Sequence, residues 1–337
     1  MNRRDFLIAG AGAFVMTRSG AAAGAKKSLA GIFPIAQTPF TSSNKLDLES
    51  LAEQVRFIAR GKVHGFVWPQ NASEWDTLSE SERLEGAEAI ASTGAKLSPA
   101  IVLGVQGPDL QAAIRYAKHA QKVGADAIIS LPPPNQPDAT ALFEYYRQIG
   151  AATDLPLFVQ AVGNVTVDSL IAMYKGIPTL RYVKDEAGEP LNRMAEIRSK
   201  SGNQLKIFTG AHGRNLIDEM IRGSSGCMPA ASFADMYAWA WDLWHEGKKR
   251  EALEKFGSAA VLVNEIATYP EGMKYILYLR GVFKTYQLRT PQTQAAAATV
   301  DPKLLATGQA LTKARLDQTG QQVLRELLDL MKPNLRA

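Results

Sequence analysis

From Gly31 to Ala230 the chain alternates short β-rich runs with longer stretches of helical period, and this pattern restricts the fold more than any other feature. Strands are expected at 31–40, 65–70, 100–105, 127–132, 156–162, 180–184, 205–211 and 226–230, eight in all. The segments between them open near Asp, Ser, Thr or Pro, and most finish in glycine, the asymmetry of helix caps. Eight strand–helix units in one chain predict a (β/α)8 TIM barrel. A doubly wound open sheet is the alternative, but no GxGxxG follows the first strand.

Beyond the eighth strand the pattern is helical, with segments such as "FADMYAWAWDLWHEG" and "EGMKYILYLRGVF", then a linker-like stretch at 292–300 and a last apolar-periodic segment to Lys332. The tryptophans Trp239, Trp241 and Trp244 are expected to pack against the barrel or a second subunit. The N-terminal end differs from the rest. Arg3 and Arg4 precede Phe6 and Leu7 and a Gly/Ala-rich apolar run, as in a twin-arginine export signal. The run is about 11 residues, too short to span a membrane, so no span is expected once the signal is removed. The expected organisation is a signal over 1–27, a barrel over 28–232 and a C-terminal helical region over 233–337, with the mature protein exported to the periplasm or beyond.

At 337 residues and 46% hydrophobic, the chain can bury a large core. Its net charge of +5 comes without a basic block interleaved with aromatics, which argues against a nucleic-acid partner. Cys227 is the only cysteine and the four histidines lack ligand spacing, so a metal site is not expected. Cys227 itself falls in the eighth strand and suits a small buried apolar position.

In a barrel of this type the chemistry belongs at the carboxyl ends of the strands. The sixth strand, in "LRYVKDEAGEP", ends on Lys184. Side chains alternate along a strand, so Tyr182, Lys184 and the following Glu186 share one face. An amine held in an apolar enclosure loses stabilisation of its charged form and becomes a nucleophile toward carbonyl carbon. Exposed strand-end lysines are nevertheless common, and chemistry alone leaves both roles open.

A set of ordered segments narrows the choice. "GIFPIAQTPF", "EWDTLSESER", "GADAIISLPPP", "LPLFVQA", "YVKDEAG" and "FTGAHGRN…GSSGCMPA" occur in sequence and resemble the dihydrodipicolinate synthase and N-acetylneuraminate lyase family of pyruvate-dependent class I aldolases. The resemblance runs from about Gly31 to Arg289. It implies a (β/α)8 barrel, usually a homo-oligomer (dimer or tetramer), in which Lys184 forms a Schiff base with pyruvate or another 2-keto acid and no cofactor takes part. It also implies a substrate-binding loop after the second strand, here Gln70, Asn71, Ala72, Ser73 and Glu74, with further contacts from Gly210, His212 and Met228.

Departures from the family pattern are equally informative. Where relatives carry G-T-T-G-E, only Glu74 is kept, leaving Asn71, Ser73 and backbone amides to hold a carboxylate. Where relatives place an acid/base tyrosine at the end of the fifth strand, this chain has Gln160, which has no titratable group. Val165 replaces the arginine that binds a dicarboxylic substrate, and Pro132, Pro133 and Pro134 replace a segment that brings a second tyrosine. Tyr182 is a candidate substitute phenol or a filler of barrel volume, and His212 a candidate acid/base or a solvated loop histidine. The expected activity is thus that of a Schiff-base lyase or aldolase, distinct from the lysine-biosynthesis synthase. The alternative is a decayed barrel that binds a keto acid outside the cytoplasm.

Overall fold

The structure, a computed structural model, describes residues 27–133, 138–267, 269–289 and 316–337. The signal segment with Arg3 and Arg4, Pro134 and the stretch 292–300 lie outside the described residues. All eight expected strands form: β1 (Gly31–Ile32), β2 (Gly65–Trp68), β3 (Ala100–Gly104), β4 (Ala127–Ser130), β5 (Leu157–Ala161), β6 (Leu180–Asp185), β7 (Lys206–Thr209) and β8 (Gly226–Cys227). They are parallel and neighbour one another in chain order, and β1 pairs with β8. Ile35 closes the ring by bridging to both Val67 and Ala230.

β1 and β8 are shorter than the runs 31–40 and 226–230 predicted. Pro34 and Pro229 have no N–H to give to a ladder, so regular pairing stops beside them. Their carbonyls still accept, Pro34 from Val67 N–H at 3.0 Å and Pro229 from Ile35 N–H at 2.8 Å, and the barrel stays closed.

Between the strands run α1 (Leu48–Arg60), α2 (Glu80–Gly94), α3 (Leu110–Val123), α4 (Ala139–Ala151), α5 (Val167–Gly176), α6 (Pro190–Lys200) and α7 (Leu216–Ile221). The N-caps follow the sequence: the side chains of Asp47, Ser79, Asp109, Asp138 and Thr166 each accept from a backbone N–H in the first turn. Glycine is the C-cap at Gly61 and Gly124 only among these helices. Gly94 and Gly176 instead end α2 and α5 as packing points, where an added Cβ would come within 2.6 Å of Ile101 and Phe143.

Two cores result. Inside the barrel, Phe33, Ile35, Val67, Val102, Ile129, Phe158, Phe208 and Met228 pack together. A larger core fills the layer between strands and helices, and it includes Cys227, which is buried and unoxidised.

Helix α8 (Ala234–His245) packs on β1 and completes the outer ring; α9 (Lys249–Ile266), α10 (Gly272–Leu279) and α11 (Gln318–Met331) follow. The tryptophans of α8 stay within this region. Trp241 is buried, Trp239 is stacked by Lys255 and Arg336, and Trp244 by Lys249. Buried Lys274 pairs with Glu74 in the loop after β2, and Arg289 pairs with Glu82 in the first turn of α2, tying the C-terminal segment to this side of the barrel. Among the described residues no helix is long and apolar enough to cross a membrane.

Candidate active site

At its carboxyl end β6 turns Lys184 into the barrel, directly across from Gln160 on β5 and Phe208 on β7. Asp185 points the other way, where Arg193 of α6 donates to it at 3.0 Å and to the Val165 carbonyl at 3.0 Å, fixing the turn after the strand. Pairing with β5 runs one residue further, since Glu186 N–H reaches the Ala161 carbonyl at 2.9 Å. Lys184 and Glu186 therefore share the inner face.

Their charges meet. Lys184 Nζ lies 2.7 Å from Glu186 Oε2, with only 7% of the lysine side chain exposed against 24% of the glutamate. Gln160 Nε2 donates to the same oxygen at 2.7 Å, and Ala211 N–H donates to Glu186 Oε1 at 3.1 Å. Burial pushes the Glu186 carboxyl up, but Lys184, the Ala211 amide and Gln160 together outweigh it and hold it below the usual carboxylate range. The enclosure is thus polar around the amine, contrary to the apolar one expected.

These groups open on a cavity of about 190 Å³. Its wall brings together Lys184, Gln160, Asn71, Ala72, His212 and Met228 from the expected site, with Gln70 of the expected loop, and adds Glu186, Ala211 and Ile35. A second cavity, between Trp68 and Arg83, has only about 10 Å³, room for little more than a water.

Four expected residues are placed elsewhere. Tyr182 faces inward as the alternation requires, but one layer below, stacked on Phe158 with ring centroids 4.3 Å apart and beside Phe208. It fills barrel volume and does not line the cavity. Ser73 is fully buried under its loop, accepting from Gln70 N–H at 3.0 Å and donating to the Ala36 carbonyl, so its hydroxyl is spent on the loop. Glu74, in the left-handed region at φ 56°, turns away to pair with Lys274 and to accept from Arg289 N–H at 2.9 Å. Gly210 is a space: a Cβ there would stand 1.8 Å from Glu186 Oε1.

Among the described residues no tyrosine and no arginine lines this cavity. The α4 tyrosines Tyr145 and Tyr146 are bonded to Ser130 outside the barrel interior, at 3.2 and 3.0 Å. Among the described residues no group of three or more His, Cys, Asp or Glu could hold a metal ion.

A model of the dihydrodipicolinate synthetase family matches residues 28–306. The chain belongs to that family. It is 30% identical over 204 residues to the 4-hydroxy-tetrahydrodipicolinate synthase of Rhizobium meliloti, covering 59% of this chain and 68% of that one. It is 26% identical over 244 residues to the L-2-keto-3-deoxyarabonate dehydratase of Azospirillum brasilense, covering 69% and 78%. The crystal structure of dihydrodipicolinate synthase from Rhodopseudomonas palustris superposes with a TM-score of 0.74 at 25% identity, covering 89% of this chain and 97% of that one. As a member of this family the chain is a lyase of the class I aldolase type, a chemistry that needs no cofactor.

The residue that sequence reasoning left out of the site is Glu186. Its signal was present: position 186 is two after Lys184, on the same face. What alternation could not supply was the company it keeps, since Gln160 is 26 residues away and Ala211 is 25.

Proposed function

We propose that this protein is a Schiff-base-forming carbon–carbon lyase acting on pyruvate or another 2-keto acid through Lys184. The observation that carries the reading is a nearly buried primary amine at the carboxyl end of β6, opening on a cavity of about 190 Å³. The amine adds to the keto carbon, water leaves, and the iminium nitrogen withdraws electrons from the adjacent bond. Asn71, Ala72 and the amides of their loop are the candidate carboxylate contacts, and His212 and Met228 line the same cavity.

That no arginine among the described residues lines the cavity supports a substrate with one carboxylate over the dicarboxylate of a lysine-biosynthesis synthase. The 2-keto acid in the Azospirillum relative's name agrees with that choice. Arg3 and Arg4 support export through the twin-arginine route to the periplasm or beyond, and the family resemblance supports assembly as a dimer or tetramer.

Borohydride added with pyruvate, or with a panel of 2-keto acids, should leave a reduced covalent adduct on Lys184, seen by intact mass and peptide mapping and lost in Lys184→Ala. No adduct from any of them sinks the proposal. That no phenol among the described residues lines the cavity favours one second reading, a solute-binding barrel without turnover. Ligand-induced thermal stabilisation undiminished in Lys184→Ala would favour it.

A further inference from the structure

We infer that Glu186 is the proton-transfer group of this site, occupying the role left open by the missing phenol. The inference rests on the Schiff-base reading above and adds to it an acid/base in direct contact with the amine.

Three independent features converge on this carboxylate. Glu186 touches the amine and keeps an opening to the cavity, with Oε2 at 2.7 Å from Lys184 Nζ and a quarter of the side chain exposed. Its orientation is set from two sides, by Gln160 Nε2 on Oε2 and Ala211 N–H on Oε1. Gln160 cannot exchange a proton, so at this position it orients a group that can. The backbone departs from ordinary geometry where that orientation is made: Ala211 and His212 both take left-handed φ angles, 48° and 57°, and Gly210 leaves out the Cβ that would collide with Glu186. Holding two non-glycine residues in that region has a free-energy cost, and what the turn gains is an N–H aimed at Glu186.

The steps balance with two protons passing from nitrogen to the keto oxygen. Glu186 takes one proton from Lys184 Nζ, the freed amine bonds to the keto carbon, and a second nitrogen proton passes to the new alkoxide to give the carbinolamine hydroxyl. Glu186 then gives its proton to that hydroxyl, which leaves as water, and Glu186 is a carboxylate again beside the iminium. In the iminium, the Glu186 carboxylate removes the hydroxyl proton at C4 as the C3–C4 bond breaks. That bonding pair becomes the C2–C3 double bond, the imine pair moves onto nitrogen, and an aldehyde departs. Glu186 then returns the proton to C3 of the enamine. With pyruvate alone, the same base removes and returns a C3 proton, so C3 exchanges with solvent.

That exchange is the test. Wild type, Glu186→Gln and Glu186→Asp are incubated with pyruvate in deuterium oxide, C3 exchange is followed by proton NMR, and the imine is trapped in parallel with borohydride. Folding is checked by thermal melting. E186Q is expected to trap pyruvate but to lose C3 exchange by about 100-fold or more per trapped imine, and E186D to recover part of it. Exchange in E186Q within about threefold of wild type at equal trapping overturns the assignment, on the scale expected for loss of a general base. If E186Q is unfolded or traps nothing, E186D decides: partial exchange with a melting temperature near wild type supports the role, and full exchange or none despite trapping overturns it. A wild type that traps no keto acid at all fails the Schiff-base reading itself, a result distinct from trapping with intact exchange in E186Q.

Discussion

Two glutamates stand on opposite sides of the same barrel wall, and the groups that touch them differ in charge. Glu186 faces inward against Lys184, and the lysine, an amide and Gln160 keep its carboxyl low despite burial. Glu219, on α7, faces the outer core and bonds to a hydroxyl and a thiol, those of Thr209 and Cys227, with no cation among them. Burial pushes Glu219 up to about 7, with Thr209 and Cys227 only partly opposing it. Burial is common to both. A nearby cation decides whether the buried carboxyl is ready to take up a proton or already carries one.

The largest expected effect breaks this contrast on the outer side. A carboxyl raised from 4.5 to about 7 binds its proton more tightly when folded, so its neutral form contributes stability below pH 4.5. That contribution is lost as pH rises through about 7, on the order of 3 kcal/mol across the window. Chemical denaturation of wild type from pH 4.5 to 8 should show the fall, and Glu219→Gln should flatten it. An unchanged slope in that variant would refute the assignment.

A smaller effect perturbs the inner side. Gly210→Ala places a methyl where Glu186 Oε1 now lies and must move the carboxylate, lowering turnover on the order of 10- to 100-fold with little loss of fold. Full activity in that variant would mean that the Glu186 position is unimportant. Smallest of all, Tyr182→Phe keeps the ring stacked on Phe158 and should leave kcat/KM within about twofold of wild type. A tenfold loss would restore the phenol to the chemistry.

Much of this was legible in the chain. The order of β and α periods predicted eight parallel strands, and capping residues marked most helix starts, because both depend on contacts within a few residues. Alternation put Tyr182, Lys184 and Glu186 on one face for the same reason. Local period says nothing about depth along the barrel axis, and so it could not tell that Tyr182 lies a layer below the amine. The loop after β2 shows the same limit. Ser73 and Glu74 resemble binding residues by position, yet Ser73 bonds to Ala36 and Glu74 to Lys274, 37 and 200 positions away, and both are turned from the cavity.

The sequence by itself determined the architecture and the strand end that carries the lysine, since hydrophobic period and backbone chemistry act locally. Only the tertiary structure decided which polar groups surround that lysine. The β7 turn, with its missing Cβ at Gly210 and its left-handed Ala211, comes within hydrogen-bond reach of the carboxylate just after β6 only once the barrel has closed.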